Sequence, residues 1–356
     1  RSHVGIAVDL LAGRLEDGDA DVASAAAVAL GHIGNGDAAK SLRQSLTHGP
    51  AQVRSAVAEG LVLCAERSLA DGDAPGAVAL YDEVRKADVP GQRVLEATRG
   101  AILARGEDGI ALLMEQFRSP DKALFQLALS TAREVPGNAV DEALAKEVPQ
   151  AQPERAALLI TAMADRKETV VLSAILSAAG GGPEPVRLAA IEALGRVGNE
   201  SCLSPLLEIA IETDADIVET AKAALAQLPG EDVNHQIVLR LATAEEKMYP
   251  VLIELVGQRR IEAVDALVQA LDHSDSAVRA AALTSLGATV TPKDLSVLIL
   301  QVLSPKHEED AAAAEQALKT ASIRMPDREA CAAELTAALE RASTAKKIVL
   351  LDILGE

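Results

Sequence analysis

Aromatic residues are nearly absent from this sequence of 356 residues, which has two tyrosines, two phenylalanines and no tryptophan. Four rings cannot supply the stacking surface on which many proteins hold single-stranded bases, so that kind of nucleic-acid binding is disfavoured. A large core is still expected because 49% of the residues are hydrophobic. That core must consist mainly of alanine, leucine, valine and isoleucine side chains.

Basic residues are scarce relative to acidic ones: 34 lysines and arginines stand against 53 aspartates and glutamates, and the formal net charge is −19. Nucleic acids and anionic membrane surfaces attract clustered lysine and arginine, so neither is an expected partner. No apolar run reaches the ~18 residues of a membrane-spanning helix, and we expect no membrane insertion. The cellular compartment stays open, because these observations fit both cytoplasmic and secreted proteins.

Residues that carry chemistry are also few and scattered. Cys64, Cys202 and Cys331 form no CxxC pair, so we expect small buried side chains and neither a zinc site nor a disulfide framework. The six histidines show no HExxH pattern, and no GxSxG is present. The turn at residues 180–183, GGGP, is not followed by GK[ST] and is not a phosphate loop. We therefore expect no catalytic residue, no metal, no cofactor and no enzymatic activity.

One motif, repeated about every 31 residues, organises the whole chain. The run VRLAAIEALGRVGN at residues 186–199 reappears as VASAAAVALGHIGN at 22–35 and as VRAAALTSLGATVT at 278–291. Position 9 of this motif serves as a marker, and it is large and apolar in every copy but one. The marker falls at Leu30, Leu61, Ile102, Ala132, Met163, Leu194, Leu225, Leu255, Leu286, Leu318 and Leu354.

Each copy has the pattern of a helical hairpin. Apolar residues such as Ala189, Ala190 and Leu194 recur at three- and four-residue spacing, which indicates helix. A second run with helical spacing precedes the motif, and a short break rich in aspartate and serine joins the two, as at residues 213–216 and 273–276. Those side chains can cap the following helix. A hairpin cannot bury its apolar side alone, so we expect neighbouring hairpins to stack into a continuous core.

The run D-x-x-V-R-x-A-A-x-x-x-L-G at residues 275–287 resembles the second helix of a HEAT repeat. The bacterial HEAT-like type named after phycobilisome lyase subunits is the most similar. The resemblance covers essentially the whole chain. It implies an all-α, right-handed α-α superhelical solenoid of about eleven hairpins, formed by residues 1–356 as a single continuous array. Four copies are located by the repeat period rather than by similarity to the motif. In these copies the opening valine is replaced, by Arg155, Lys247, Asp310 and Lys346.

Two irregularities interrupt the regular array. The interval between Leu61 and Ile102 is 41 residues, and the additional residues lie at 69–90. This segment is similar to a tetratricopeptide helix, with Ala77 and Tyr81 on its apolar side together with Leu80 and Val84, but a lengthened first helix of an ordinary hairpin explains it too. The last copy stops at residues 354–356 without a polar capping hairpin. Since solenoids need such caps, we expect a fragment of a larger protein.

The exposed side of the second helices is the candidate binding surface. Positions 3, 7 and 10 of the motif lie opposite the apolar side, and in HEAT-like arrays this side usually lines the concave face. The acidic residues there are Glu59, Glu96, Glu192, Glu219 and Asp352, and the basic ones are Arg133 and Lys319. This balance predicts a mildly acidic face for a basic protein or peptide, although an ordinary solvated face would show a similar composition.

Arginines at position 2 of the motif, Arg54, Arg187 and Arg279, are expected to be structural. The four-residue spacing of Asp275 and Arg279 favours an ion pair across the start of a helix.

The family resemblance implies a non-catalytic scaffold or docking arm that binds other proteins. It leaves two alternatives open. The chain could be the accessory arm of a large bacterial secreted multidomain enzyme, of a sugar-processing or haem-domain type, whose catalytic domain lies outside this segment. It could also be a tetrapyrrole or bilin lyase subunit, which the scarcity of aromatic residues disfavours.

Overall fold

A computed structural model describes residues 3–166, 168–244 and 247–355 of the chain. These residues form 22 α-helices, joined by short loops and 3-10 turns, and contain no β-strand. The backbone contacts divide the chain into two compact units, Arg1–Val171 (unit 1) and Leu172–Glu356 (unit 2). No helix in the described ranges is both long and apolar enough to cross a membrane.

Unit 1 contains the first ten helices. Their bounds are α1 His3–Arg14, α2 Ala20–Ile33, α3 Gly36–His48, α4 Arg54–Ala70, α5 Ala74–Lys86, α6 Gly91–Ala104, α7 Ile110–Arg118, α8 Lys122–Ala132, α9 Ala139–Glu147 and α10 Pro153–Ala164. The helices pair in chain order as hairpins, and each even-numbered helix carries one copy of the sequence motif.

Unit 2 contains the remaining twelve. Their bounds are α11 Leu172–Gly180, α12 Glu184–Val197, α13 Leu203–Ile209, α14 Ala215–Gln227, α15 Glu231–Leu241, α16 Met248–Gln258, α17 Val264–Ala270, α18 Ser276–Thr289, α19 Leu295–Leu303, α20 Ala311–Arg324, α21 Arg328–Leu339 and α22 Thr344–Leu354. Ten and twelve helices make five and six hairpins, so the predicted all-α solenoid class and its eleven hairpins are confirmed over the described residues.

The polar breaks between paired helices end in helix caps, as the sequence predicted. The Asp19 carboxylate accepts a hydrogen bond from the Asp21 N–H at 2.9 Å, where α2 begins. Asp214 and Asp275 cap α14 and α18 in the same way. A cap of this kind stabilises a helix by about 1 kcal/mol, because it satisfies an N–H that the first turn leaves unpaired.

The motif marker identifies the core residue of each second helix with one error. Ten of the eleven markers, from Leu30 to Leu318, are buried. In the last hairpin Leu354 is only partly buried, and its neighbour Ile353 points into the core at 6% exposure. The copies placed by period alone are therefore correct except in α22, where the sequence-based register is wrong by one residue.

Consecutive second helices approach each other closely where glycine follows the marker. A Cβ added at Gly31 of α2 would lie 2.6 Å from the Gly60 Cα of α4, and one at Gly195 of α12 would lie 2.8 Å from the Ala224 Cα of α14. Only a residue without a side chain leaves the backbones this close. These contacts fix how the exposed sides of neighbouring second helices line up within each unit.

The additional residues between Leu61 and Ile102 lie in two neighbouring hairpins, at the end of α4 and in α5. α4 runs for 17 residues, and α5 follows it as the first helix of the third hairpin. The four residues predicted to share the apolar side of this segment, Ala77, Leu80, Tyr81 and Val84, are all buried. α5 packs extensively against both α4 and α6, so it separates these two second helices.

Candidate functional site

The five predicted acidic residues lie on second helices, but the structure does not gather them into one site. Glu59 and Glu96 belong to α4 and α6 of unit 1, and Glu192 and Glu219 belong to α12 and α14 of unit 2. Each unit thus has one pair of carboxylates on consecutive second helices. Asp352 lies separately on α22, where it is exposed.

In unit 1 an arginine of the chain itself binds both carboxylates. The Arg93 guanidinium donates from Nη1 to Glu96 Oε2 at 2.7 Å and from Nη2 to Glu59 Oε2. All three side chains are partly buried. Gln92 donates a further hydrogen bond to Glu96 at 3.1 Å. This acidic pair is therefore largely neutralised within the chain, which the motif positions alone did not predict.

The Arg93 site continues into a groove between α4 and α6, which we call the Tyr81 groove. It has a volume of about 270 Å³ and is lined by Glu59, Val62, Leu63, Glu66, Tyr81, Arg93, Glu96, Arg99 and Gly100. Tyr81 of α5 forms part of the wall, because its ring lies directly on Gly100: a Cβ there would be 2.3 Å from Tyr81 Cε1. The groove exists because α5 and this ring hold α4 and α6 apart.

Charges of both signs line the Tyr81 groove. Burial, and to a smaller extent the negative charge of Glu66, raise the pKa of Tyr81 to about 12, so its hydroxyl stays neutral at pH 7. Arg99 binds Glu134 through both Nε and Nη2, and these hydrogen bonds raise the pKa of Arg99. The groove can thus offer polar contacts to a peptide, but it carries little unpaired charge.

The acidic pair of unit 2 has a different setting. Glu192 and Glu219 are exposed, and within the described residues no hydrogen bond or ion pair joins either carboxylate to another group. Both occupy the same motif positions, 7 and 3, as Glu59 and Glu96. Where unit 1 has Arg93, one residue before position 1, α14 has the exposed residue Asp216. This surface therefore presents three carboxylates without an internal cation between them.

Two of the cations near this surface in sequence are bound to other carboxylates. Lys222 of α14 binds Glu254 of α16 at 2.9 Å, and Arg187 of α12 binds Glu212 at 2.8 Å. Arg133, one of the two basic residues predicted on the exposed side, binds Asp165 at 2.8 Å. Internal pairing thus takes up these basic side chains while Glu192 and Glu219 stay open.

The arginines at motif position 2 make structural contacts, as expected, but one predicted partner is wrong. Arg279 is 2% exposed and binds Asp310 at 2.6 Å and Glu309 at 2.9 Å, together with the His273 carbonyl. Asp275 instead uses its carboxylate to accept from the Ala277 N–H at 2.8 Å. The Asp275 carboxylate therefore caps α18 and does not pair with Arg279.

A second set of arginines was not predicted at all. Arg259, just after α16, reaches back to the end of α14, where its Nη1 donates to the carbonyls of Leu225 and Leu228 at 2.9 and 2.8 Å. Arg166 and Arg324 bind the ends of α8 and α18 in a similar way. The sequence signal for this contact is an arginine three to six residues after the marker. An arginine in that position places its cation at the carbonyl end of the preceding second helix.

The cysteines and the metal-ligating side chains of the described residues are dispersed. The three cysteines are buried and free, and burial raises the pKa of the Cys64 thiol to about 11. No group of three or more histidine, cysteine or carboxylate side chains that could hold a metal ion occurs in the described part of the chain.

Comparisons with known proteins agree on the repeat type. A family model described as HEAT repeats matches residues 6–62 and 238–319, and one described as PBS lyase HEAT-like repeat matches residues 186–211. No curated protein matches the chain.

Solved structures of a much longer protein resemble the fold. The karyopherin Kap121p bound to the extreme C-terminus of the protein phosphatase Cdc14p is 12% identical with a TM-score of 0.53, and a mutant of Kap121p is 11% identical with a TM-score of 0.52. In both cases the match covers 98% of this chain and 45% of the other, so the chain spans less than half of the length of these structures.

Proposed function

The chain belongs to the HEAT-repeat family, and from that premise we propose that it is a non-catalytic scaffold whose second helices bind a basic protein or peptide. The observation that carries the proposal is the exposed carboxylate pair of Glu192 and Glu219 on consecutive helices α12 and α14. Such a surface is suited to a cationic segment because the two acids are solvent-accessible and, in the part of the chain that the structure describes, no cation binds them.

The chemistry of the described residues supports a binding role over a catalytic one. A thiol with a pKa of about 11, such as Cys64, is protonated at neutral pH and is a poor nucleophile. The Tyr81 groove contains ion pairs and a neutral phenol rather than a nucleophile beside a base. A surface of this kind recognises shape and charge.

The charge of the whole chain supports a basic partner. A formal net charge of −19 gives long-range attraction to cations, which increases the rate of association and weakens with added salt. Kap121p was solved bound to a segment of another protein, and its likeness to this chain supports only the shared fold.

The experiment that tests this function is a selection of random short peptides on the immobilised full chain, followed by titration of the selected peptides in solution. We expect peptides rich in arginine and lysine, with saturable binding that weakens as salt is added. Failure to obtain any peptide with saturable binding would contradict the scaffold function. Selection of acidic or uncharged peptides would contradict the basic partner.

A further inference from the structure

The Tyr81 groove of unit 1 contains a buried polar group that the chain itself leaves without a partner. We propose that the groove binds the side chain of one lysine of a bound protein, with the ammonium between Glu66 and the Tyr81 hydroxyl and the aliphatic stem on the leucines of the wall. This inference rests on the proposed function, because it names the side chain of the basic partner that this groove would recognise.

The Tyr81 groove extends beyond the cavity beside Arg93. A second cavity of about 340 Å³ continues it along α4 and α6, and the two cavities have four lining residues in common, Glu66, Tyr81, Arg99 and Gly100. The second cavity adds an apolar end, which is formed by Leu69, Ala70 and Leu103. From Glu59 to Ala70 the groove follows α4 for about 16 Å at 1.5 Å per residue, so a long side chain can lie along it.

The Tyr81 hydroxyl is the buried group without a partner. Tyr81 is 3% exposed, yet it lines both cavities, so the small exposed part of its side chain faces the groove. Gly100 leaves space for the hydroxyl end of the ring, since a Cβ there would lie 2.4 Å from Tyr81 Cζ. Within the described residues no hydrogen bond joins this hydroxyl to another group. A buried tyrosine hydroxyl usually has a hydrogen-bond partner, and here the groove is the place from which one can come.

Glu66 supplies a negative charge beside this hydroxyl. Its side chain is exposed on the groove wall, and in the described part of the chain no cation binds it. Its charge contributes to the raised pKa of Tyr81, so the two groups are close enough to act on one another. The arginines of the groove, Arg93 and Arg99, are bound to other carboxylates. A cation that enters the groove therefore meets an unpaired carboxylate and an unpaired hydroxyl.

Lysine matches these two acceptors better than arginine does. An ammonium has three donors, of which two can bind the Glu66 carboxylate and the Tyr81 oxygen while the third faces water. A guanidinium has five N–H donors, and some of them would stay unpaired in the groove, which weakens binding. The four-carbon stem of lysine can also cover the apolar surface of Leu69 and Leu103. An acidic side chain would be repelled by Glu66.

The two tyrosines of the chain make the groove directly observable. Protein labelled with carbon-13 in the tyrosine rings gives NMR signals from Tyr81 and Tyr249 alone, and Tyr249→Phe assigns them. The probe is Nα-acetyl-lysine methylamide, titrated against the full chain. We expect a saturable shift of the Tyr81 signal with a Kd of about 1 mM, the scale for a ligand of about 14 non-hydrogen atoms. The signal of Tyr249, in α16, should not move.

Three further amides test which part of the lysine is recognised. The norleucine amide keeps an aliphatic stem without the ammonium, and it should give no saturable shift of Tyr81. The glutamate amide should behave in the same way. The arginine amide should bind about threefold more weakly than the lysine amide or worse, because of its unpaired donors.

Two variants test the residues that are proposed to hold the ammonium. Glu66→Gln should weaken binding of the lysine amide by about tenfold, the scale of losing a charge-assisted hydrogen bond. The matched variant Glu115→Gln removes an exposed acid of α7 outside the groove and should leave binding unchanged. Tyr81→Phe keeps the ring on Gly100 and should weaken binding by about threefold, followed through the methyl signals of Leu69.

The inference is overturned by any of three results. The first is a Tyr81 signal that does not respond to about 10 mM lysine amide, ten times the expected Kd. The second is binding of the norleucine or arginine amide as tight as that of the lysine amide. The third is an equal effect of Glu66→Gln and Glu115→Gln.

The outcomes also separate the lysine site from the proposed function. If selected peptides bind and the Tyr81 signal does not move, the lysine site is wrong while the scaffold function stands. If the lysine amide binds as expected and no peptide can be selected, the groove recognises lysine and the scaffold function is wrong. If neither the peptides nor the amide bind, both are wrong.

Discussion

Arginine has two distinct structural uses in this chain, and the groups around it decide which one applies. Arg93 lies between two carboxylates and makes ion pairs on the exposed side of α4 and α6. Arg259 lies at a helix end and donates to backbone carbonyls. The carbonyls at the end of a helix have no partners within the helix and carry partial negative charge, so a cation there both pairs and neutralises them.

We predict that Arg259→Met destabilises unit 2. Methionine keeps the apolar stem but removes the bonds to Leu225, Ala226 and Leu228 and to the Asn234 side chain at 2.7 Å. Leaving these acceptors unpaired should cost about 2 kcal/mol of unfolding free energy. Urea unfolding followed by circular dichroism measures the loss, and faster amide exchange at the end of α14 would locate it.

The control for this prediction is Arg341→Met. Arg341 is exposed, and replacing it should change the unfolding free energy by less than about 0.5 kcal/mol. An equal effect of the two substitutions, or unchanged exchange in α14, would mean that the helix-end contacts do not stabilise unit 2.

At the scale of the helix, the sequence alone predicted the features that depend on a single type of residue, namely the positions of the helices and their caps. Periodic apolar residues located all second helices, and aspartates before them located caps such as Asp19 and Asp214. The sequence did not predict the partners of long side chains that have several acceptors within reach. Arg279 selects Asp310 over Asp275, and Arg93 bridges two helices, because the packing of hairpins determines what each side chain can reach. Motif spacing contains no such information.

The sequence predicted the positions of the candidate site residues but not their contacts. The positions of Glu59, Glu96, Glu192 and Glu219 on the second helices follow from the period. The contact of Glu59 and Glu96 with a shared arginine, Arg93, required coordinates. Coordinates were also needed to place Tyr81 of α5 against Gly100 of α6, the two helices of the third hairpin, and thereby to explain the groove.

Glycine after the marker gives a prediction at the scale of the helix. Alanine in place of glycine usually stabilises a helix by roughly 0.5–1 kcal/mol. At Gly31 the new Cβ would lie 2.6 Å from the Gly60 Cα and 2.8 Å from its carbonyl oxygen, both of which are backbone. α2 and α4 would have to separate, so we expect Gly31→Ala to lower the unfolding free energy of unit 1 by about 1–3 kcal/mol.

Gly13→Ala in α1 is the matched control, because nothing lies within 4 Å of a Cβ at that position. It should leave stability unchanged or raise it. Urea unfolding of both variants gives the comparison, and a Gly31→Ala protein as stable as Gly13→Ala would show that the close approach of α2 and α4 is not needed.

At the scale of the whole molecule, the ion pairs explain why some acidic side chains stay exposed without a bound cation. Many cations bind acids of the neighbouring hairpin: Arg43 with Glu83, Arg54 with Asp88, Arg99 with Glu134, Arg118 with Glu147, Arg187 with Glu212, Lys222 with Glu254 and Lys346 with Glu315. With 34 bases against 53 acids, pairing of this kind leaves carboxylates such as Glu192 uncompensated. Ion pairing between neighbouring hairpins therefore uses up many of the bases and leaves part of the acidic excess exposed.

This charge distribution predicts how stability responds to salt. Exposed ion pairs contribute about 0–1 kcal/mol each and are weakened by salt, whereas a net charge of −19 repels itself more strongly in the folded chain than in the unfolded one. Repulsion extends over many charges, so its screening should dominate. We expect the melting temperature to rise by roughly 2 °C or more between about 10 and 150 mM sodium chloride, a range in which the screening length falls from about 30 to 8 Å. Calorimetry at constant pH measures the shift, and a melting temperature that falls with salt would mean that the ion pairs between hairpins outweigh the net repulsion.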